Sequence, residues 1–60
     1  MYEHRGPYRE TSYGAIDCEV NHNLFGWLPF TADPNDPEEV GRNTYQDIRD
    51  NEIVEPYGEE

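Results

Sequence analysis

Cysteine is nearly missing: Cys18 stands alone in the 60 residues, so no disulfide can close within this chain. That excludes the stapled secreted mini-protein and leads us to expect a reduced thiol and cytoplasmic synthesis. Lysine is missing altogether, and the basic side chains are four arginines set against 14 carboxylates, for a net charge of -10. With no basic patch, direct binding to a nucleic acid or an anionic membrane surface is not expected. No apolar run approaches the roughly 20 residues of a membrane-spanning helix, and the first residues lack the charged-then-apolar layout of a signal peptide. Ser12, the only serine, has no glycine-rich elbow beside it, and no phosphate-cradling glycine loop occurs.

What is present is aromatic. Five tyrosines, two phenylalanines and a tryptophan cluster with Ile, Val and Leu, enough to anchor a small core despite a low mean hydropathy that otherwise favours disorder. Residues 1–7 read as a flexible polar arm broken at Gly6-Pro7, and Tyr8 to Tyr13 as a short strand ending at Gly14. Ile16, Cys18 and Val20 alternate with Asp17, Glu19 and Asn21, the period-two pattern of a half-buried strand. His22 to Gly26 reads as a turn, and Trp27 to Thr31 as a second extended segment that Pro29 confines to a sheet edge or a bulge.

A helix is expected over residues 37–50. Asp36 is the N-cap, Pro37 the first helical residue, and Glu38 and Glu39 face the positive end of the dipole. Val40, Tyr45 and Ile48 line one face at helical spacing. Residues 51–60 form an acidic tail in which Ile53-Val54, with Tyr57, turns back onto the fold. The expected architecture is therefore a single α+β domain over 1–60, with a β region at 8–31. A small β-hairpin or three-stranded antiparallel sheet packs against one C-terminal helix. Its core is Ile16, Cys18, Val20, Trp27, Phe30, Val40, Tyr45 and Ile48.

No set of residues carries a recognisable catalytic or metal-binding pattern. Asp33, Asn35 and Asp36 resemble the start of a calcium loop, but proline and glutamate occupy the next positions where a ligand and a glycine are needed. Cys18, His4 and His22 fit no closed zinc pattern. Nothing separates an acid from a base among the many carboxylates. We expect no catalytic residue, metal or cofactor. Phe25, Trp27 and Phe30 are candidate anchors for a partner protein. Glu39, Asp47 and Asp50, with Asn43, are candidates for an acidic helix face able to imitate a phosphate backbone, against the plainer reading of a solvated face carrying its own pairs, such as Glu38 to Arg42.

The run Ile16-Asp17-Cys18-Glu19-Val20, then Gly26-Trp27-Leu28-Pro29-Phe30-Thr31-Ala32, then Glu38-Glu39 and Gly41-Arg42, resembles small bacteriophage proteins encoded in or beside tail-fibre regions. The likeness covers about half the chain; the Tyr2 to Tyr13 segment lies outside it. The family has no assigned activity to carry over. The resemblance implies a phage origin and this fold; with the aromatic anchors and the acidic surface it leads us to expect a non-catalytic structural or assembly protein that binds a larger phage protein of the tail or virion. It would act in the host cytoplasm during infection or be carried in the particle. The alternative is an acidic inhibitor of a basic host protein or defence complex, acting by nucleic-acid mimicry.

Overall fold

The computed structural model describes residues 2–58. Three strands, β1 (His4–Glu10), β2 (Ile16–His22) and β3 (Gly26–Ala32), precede one helix, α1 (Glu39–Asn51). The strands form an antiparallel sheet in the order β1-β2-β3, so the α+β architecture expected from the sequence is the one observed.

The alternation in β2 decides the layering. Ile16, Cys18 and Val20 are buried under the helix, whereas Asp17 and Glu19 face outwards. Cross-strand partners share a face, so Ala32, Phe30 and Leu28 of β3 join the inner layer opposite Ile16, Cys18 and Val20. The helix contributes a stripe of Gly41, Thr44 and Ile48, spaced so that one side of α1 is buried. Thr44 is tolerated there because its hydroxyl donates to the Val40 carbonyl at 2.7 Å.

The two hairpins follow from local chemistry. Residues 11–15 turn the chain from β1 to β2, with Gly14 at φ +90 and the Thr11 hydroxyl accepting from the Ala15 N–H at 3.0 Å. Between β2 and β3 the loop is Asn23-Leu24-Phe25, closed by the pair His22 and Gly26. Gly26, where the chain enters β3, has φ +75, a left-handed conformation that glycine supplies without strain.

Four expectations are corrected. The flexible arm over residues 1–7 and the strand over Tyr8 to Tyr13 are replaced by β1, whose register slips between Arg5 and Arg9, around the cis Gly6–Pro7 peptide. That slip lets a glycine and a proline occupy a strand, which the period-two reading had treated as a break. The helix starts at Glu39, and its N-cap is Glu38, without a side-chain cap. Asp36 lies further back, accepting from the Glu38 N–H at 2.8 Å and laying its carboxylate over Gly41. Trp27 and Val40 are absent from the buried core, which instead takes Ala15 and Ala32, with Tyr2, Tyr8 and Val54 packed against it. The tail does turn back, but by packing Val54 on the core and bridging Glu55 to Arg9, while Ile53 and Tyr57 are exposed.

Candidate docking surface

The tip of the β2–β3 hairpin is apolar. Leu24 is 81% exposed and Phe25 71% exposed, an arrangement with no structural return for a chain this acidic. The tight loop forces it: with the strands closed at His22 and Gly26, the intervening side chains have no layer to pack against. The Phe25 ring stacks on His22 at 5.1 Å between centroids. Tyr2 lies 6.2 Å from His22 and edge-on to Phe30 at 5.6 Å. An aromatic ladder thus runs from the core through Phe30, Tyr2 and His22 to Phe25. His22 also fixes the loop, since its Nδ1 accepts from the Leu24 N–H at 3.1 Å.

Trp27 pairs with Asn21, not with a buried residue of β2, and so stands on the face of the sheet away from the helix. The Arg5 guanidinium lies 4.1 Å over its ring, and the Arg5 Nε donates to Glu19 at 2.7 Å. Beside it, the Thr31 hydroxyl donates to Asp17 at 2.9 Å. This outer face carries no covering element among the described residues.

The six residues singled out in the sequence therefore fall in different places. Phe25 is at the tip, Trp27 on the outer face and Phe30 partly buried under the helix. Glu39 and Asp50 are exposed on α1. Asp47 is turned inwards: its Oδ2 lies 2.6 Å from His4 Nε2, and its Oδ1 accepts from Asn51 at 2.9 Å. The three carboxylates proposed as one acidic row thus divide between solvent and a joint with β1. Leu24, His22, Arg5 and Tyr2 were not foreseen as site residues. The apolar pair between Asn23 and Gly26 was the available signal for Leu24; the other contacts span strands that periodicity does not pair.

The remaining reactive groups are enclosed. Burial, with Asp17 and Glu19 nearby, pushes the Cys18 thiol up to about 11, leaving it protonated and inert at neutral pH. Burial likewise raises the Tyr8 hydroxyl, aided by the Glu52 charge, and the Tyr8 oxygen lies within hydrogen-bond reach of His4 Nδ1 at 2.7 Å. Among the described residues, no group of three or more His, Cys, Asp or Glu is placed to hold a metal ion. A depression of about 410 Å³ lies between β1 and the returning tail, lined by Pro7, Tyr8, Val54 and Pro56 among others. It is remote in sequence from the hairpin tip and shares no residue with it. Among the described residues, no helix is long and apolar enough to cross a membrane.

No family model, curated protein or solved structure matches the chain.

Proposed function

We propose that this protein is a non-catalytic docking module, a structural or assembly component that binds a larger phage protein of the tail or virion. The exposed Leu24 and Phe25 at the hairpin tip carry this reading. Large apolar side chains held out by a tight loop, and backed by an aromatic ladder, are pre-organised anchors. Such side chains lose little entropy on binding and supply most of an interface's affinity. Trp27, on the uncovered face, extends the contact area. The enclosed Cys18, and the use of His4, Tyr8 and Asp47 as a structural joint, agree with a protein that holds a partner and performs no reaction.

Quantitative mass spectrometry of purified phage particles and of assembly intermediates tests the proposal. Stoichiometric presence in either is the expected result, with loss of incorporation for the double variant Leu24→Ser, Phe25→Ser. Absence from both, with the protein abundant in infected cells, overturns it and leaves the acidic inhibitor, for which the exposed Glu39 and Asp50 are the natural contacts. The double variant Glu39→Lys, Asp50→Lys separates the two readings, because it abolishes an interface made of those carboxylates and leaves the hairpin-tip contact in place.

A further inference from the structure

The two outer edges of the sheet are treated differently. On β1, the tail covers the Tyr8–Glu10 end of the edge: the Glu55 N–H donates to the Tyr8 carbonyl at 2.9 Å, and the Glu10 N–H donates to the Glu55 carbonyl at 2.8 Å. On β3 nothing equivalent occurs among the described residues.

Which groups β3 leaves open follows from the register. The Asn21 N–H donates to the Glu3 carbonyl, so the odd-numbered backbone groups of β2 point towards the β1 side. Successive residues of a strand direct their N–H and C=O groups to alternate sides, and the even-numbered residues of β2 therefore serve β3. Through the pairs Cys18 with Phe30 and Val20 with Leu28, the even-numbered residues of β3 answer them. Trp27, Pro29 and Thr31 then aim their backbone groups away from the sheet. Pro29 fits this geometry, since its missing N–H falls where β2 needs no donor. The edge presents the N–H groups of Trp27 and Thr31 and the carbonyls of Trp27, Pro29 and Thr31.

Edge strands are ordinarily guarded by charged side chains, bulges or a covering element. From Phe25 to Ala32 there is no charged residue, in a chain with 14 acidic and 4 basic residues. Pro29 is the one guard. An edge so bare, beside one that the protein closes at one end with its own tail, is a template for an added strand.

We infer that the β3 edge receives an extended, basic segment of the partner as a fourth strand; this rests on the docking reading above and specifies its mode. Charge selects the occupant. A second copy would bring -10 against -10, whereas a basic strand is attracted by that charge; Asp17 and Glu19, one strand in on the outer face beside Thr31 and Pro29, are already held by Thr31 and Arg5.

The test uses the full-length ¹⁵N-labelled protein and a short synthetic peptide alternating valine with arginine or lysine, read by amide exchange. The Trp27 and Thr31 amides are expected to exchange fast alone and to slow at least about tenfold when the peptide is present in excess. Leu28 and Phe30, already bonded to β2, should change little. Thr31→Pro removes an edge donor that the β2 backbone does not use, and should weaken peptide binding at least about fivefold. The wild-type exchange pattern decides the question even if that variant folds poorly. Four results overturn the inference: no peptide binding, binding without a change at Trp27 and Thr31, equal binding of a peptide with glutamate at the basic positions, or protection produced by raising the protein concentration alone. None of them touches the docking proposal, which stands or falls on the particle measurement.

Discussion

His4 and Asp47, 43 positions apart in the chain, meet with ring nitrogen and carboxylate oxygen 2.6 Å apart. The contact ties the first strand to the last third of the helix. Tyr8 holds the other side of the same ring at 2.7 Å, so His4 is satisfied at both nitrogens in a site where its side chain is only 7% exposed.

Removing that ring leaves a carboxylate and a hydroxyl without their partner. His4→Ala should destabilise the fold by about 1–3 kcal/mol, with each kcal/mol worth about 4–8 °C of melting temperature in a domain this small. Asp47→Ala should cost less than His4→Ala, because His4 retains Tyr8. Urea unfolding of the two variants and their double mutant measures the coupling. Additive losses would show that the joint contributes nothing as a pair.

Glu10 and Arg49 form a second joint between β1 and α1. The Arg49 hydrogen bond is the chief cause that holds the Glu10 carboxyl below its ordinary 4.5. A carboxyl lowered in the folded state adds stability above its unfolded value and loses it as pH falls through the folded value. Stability should therefore drop between pH 4.5 and the lower folded value, and Glu10→Gln should flatten that limb of the melting-temperature profile.

At the alkaline end the sign reverses. The Cys18 thiol is raised from 9.0 to about 11 by burial, so over that interval the unfolded chain releases a proton that the folded chain keeps. Stability should fall as pH rises through this window, and Cys18→Ala should remove that component of the fall. At pH 8, iodoacetamide should alkylate folded Cys18 at least about a hundredfold more slowly than the chain in urea. Equal rates would mean that the thiol is open to solvent.

Gly41 is in the helix because of Asp36. A Cβ at that position would come within 2.0 Å of Asp36 Oδ2 and 2.6 Å of its Cγ. Gly41→Ala gains up to about 1 kcal/mol in helix propensity but displaces the carboxylate that accepts from Glu38, and should be net destabilising by about 1 kcal/mol. In an Asp36→Ala background the obstruction is gone. There, Gly41→Ala should become neutral or stabilising, and thermal melts of the four proteins decide it.

The placement of Trp27 is checked by its fluorescence, since the chain has one tryptophan. Acrylamide should quench the folded protein readily, and Arg5→Ala, which uncovers the ring, should increase the quenching. Strong protection of the indole would place it back in the core. Phe25→Ser should leave stability within about 0.5 kcal/mol, as for any exposed position.

Much of the fold was legible because it is local. The Ile16, Cys18, Val20 alternation, the turn glycines Gly14 and Gly26, the edge position of Pro29 and a helix with Ile48 on its inner face follow from periodicity and backbone chemistry. The helix start moved because Asp36 serves Glu38 and Gly41 from outside the first turn. The first strand was hidden because its register slips around Gly6-Pro7, which in sequence resembles an end, not a bend.

The candidate site was half legible. An aromatic cluster from Phe25 to Phe30 is plain in the sequence, but which side each ring takes depends on register, and a shift of one residue exchanges the faces. Trp27 was assigned to the core for that reason. Asp47 was assigned to a solvated helix face because its partner, His4, lies at the far end of the chain.

By itself, then, the sequence determined the class of fold, the strongly acidic surface and an uncharged aromatic segment from Phe25 to Ala32. Tertiary structure alone decided that Leu24 and Phe25 project from a hairpin tip, that Trp27 leaves the core for the outer face, and that Glu55 bridges to Arg9 at the edge of β1 while the edge of β3 has no such partner among the described residues. Local preferences reach a few residues along the chain, whereas burial, pairing and edge exposure are set by contacts between segments that only folding brings together.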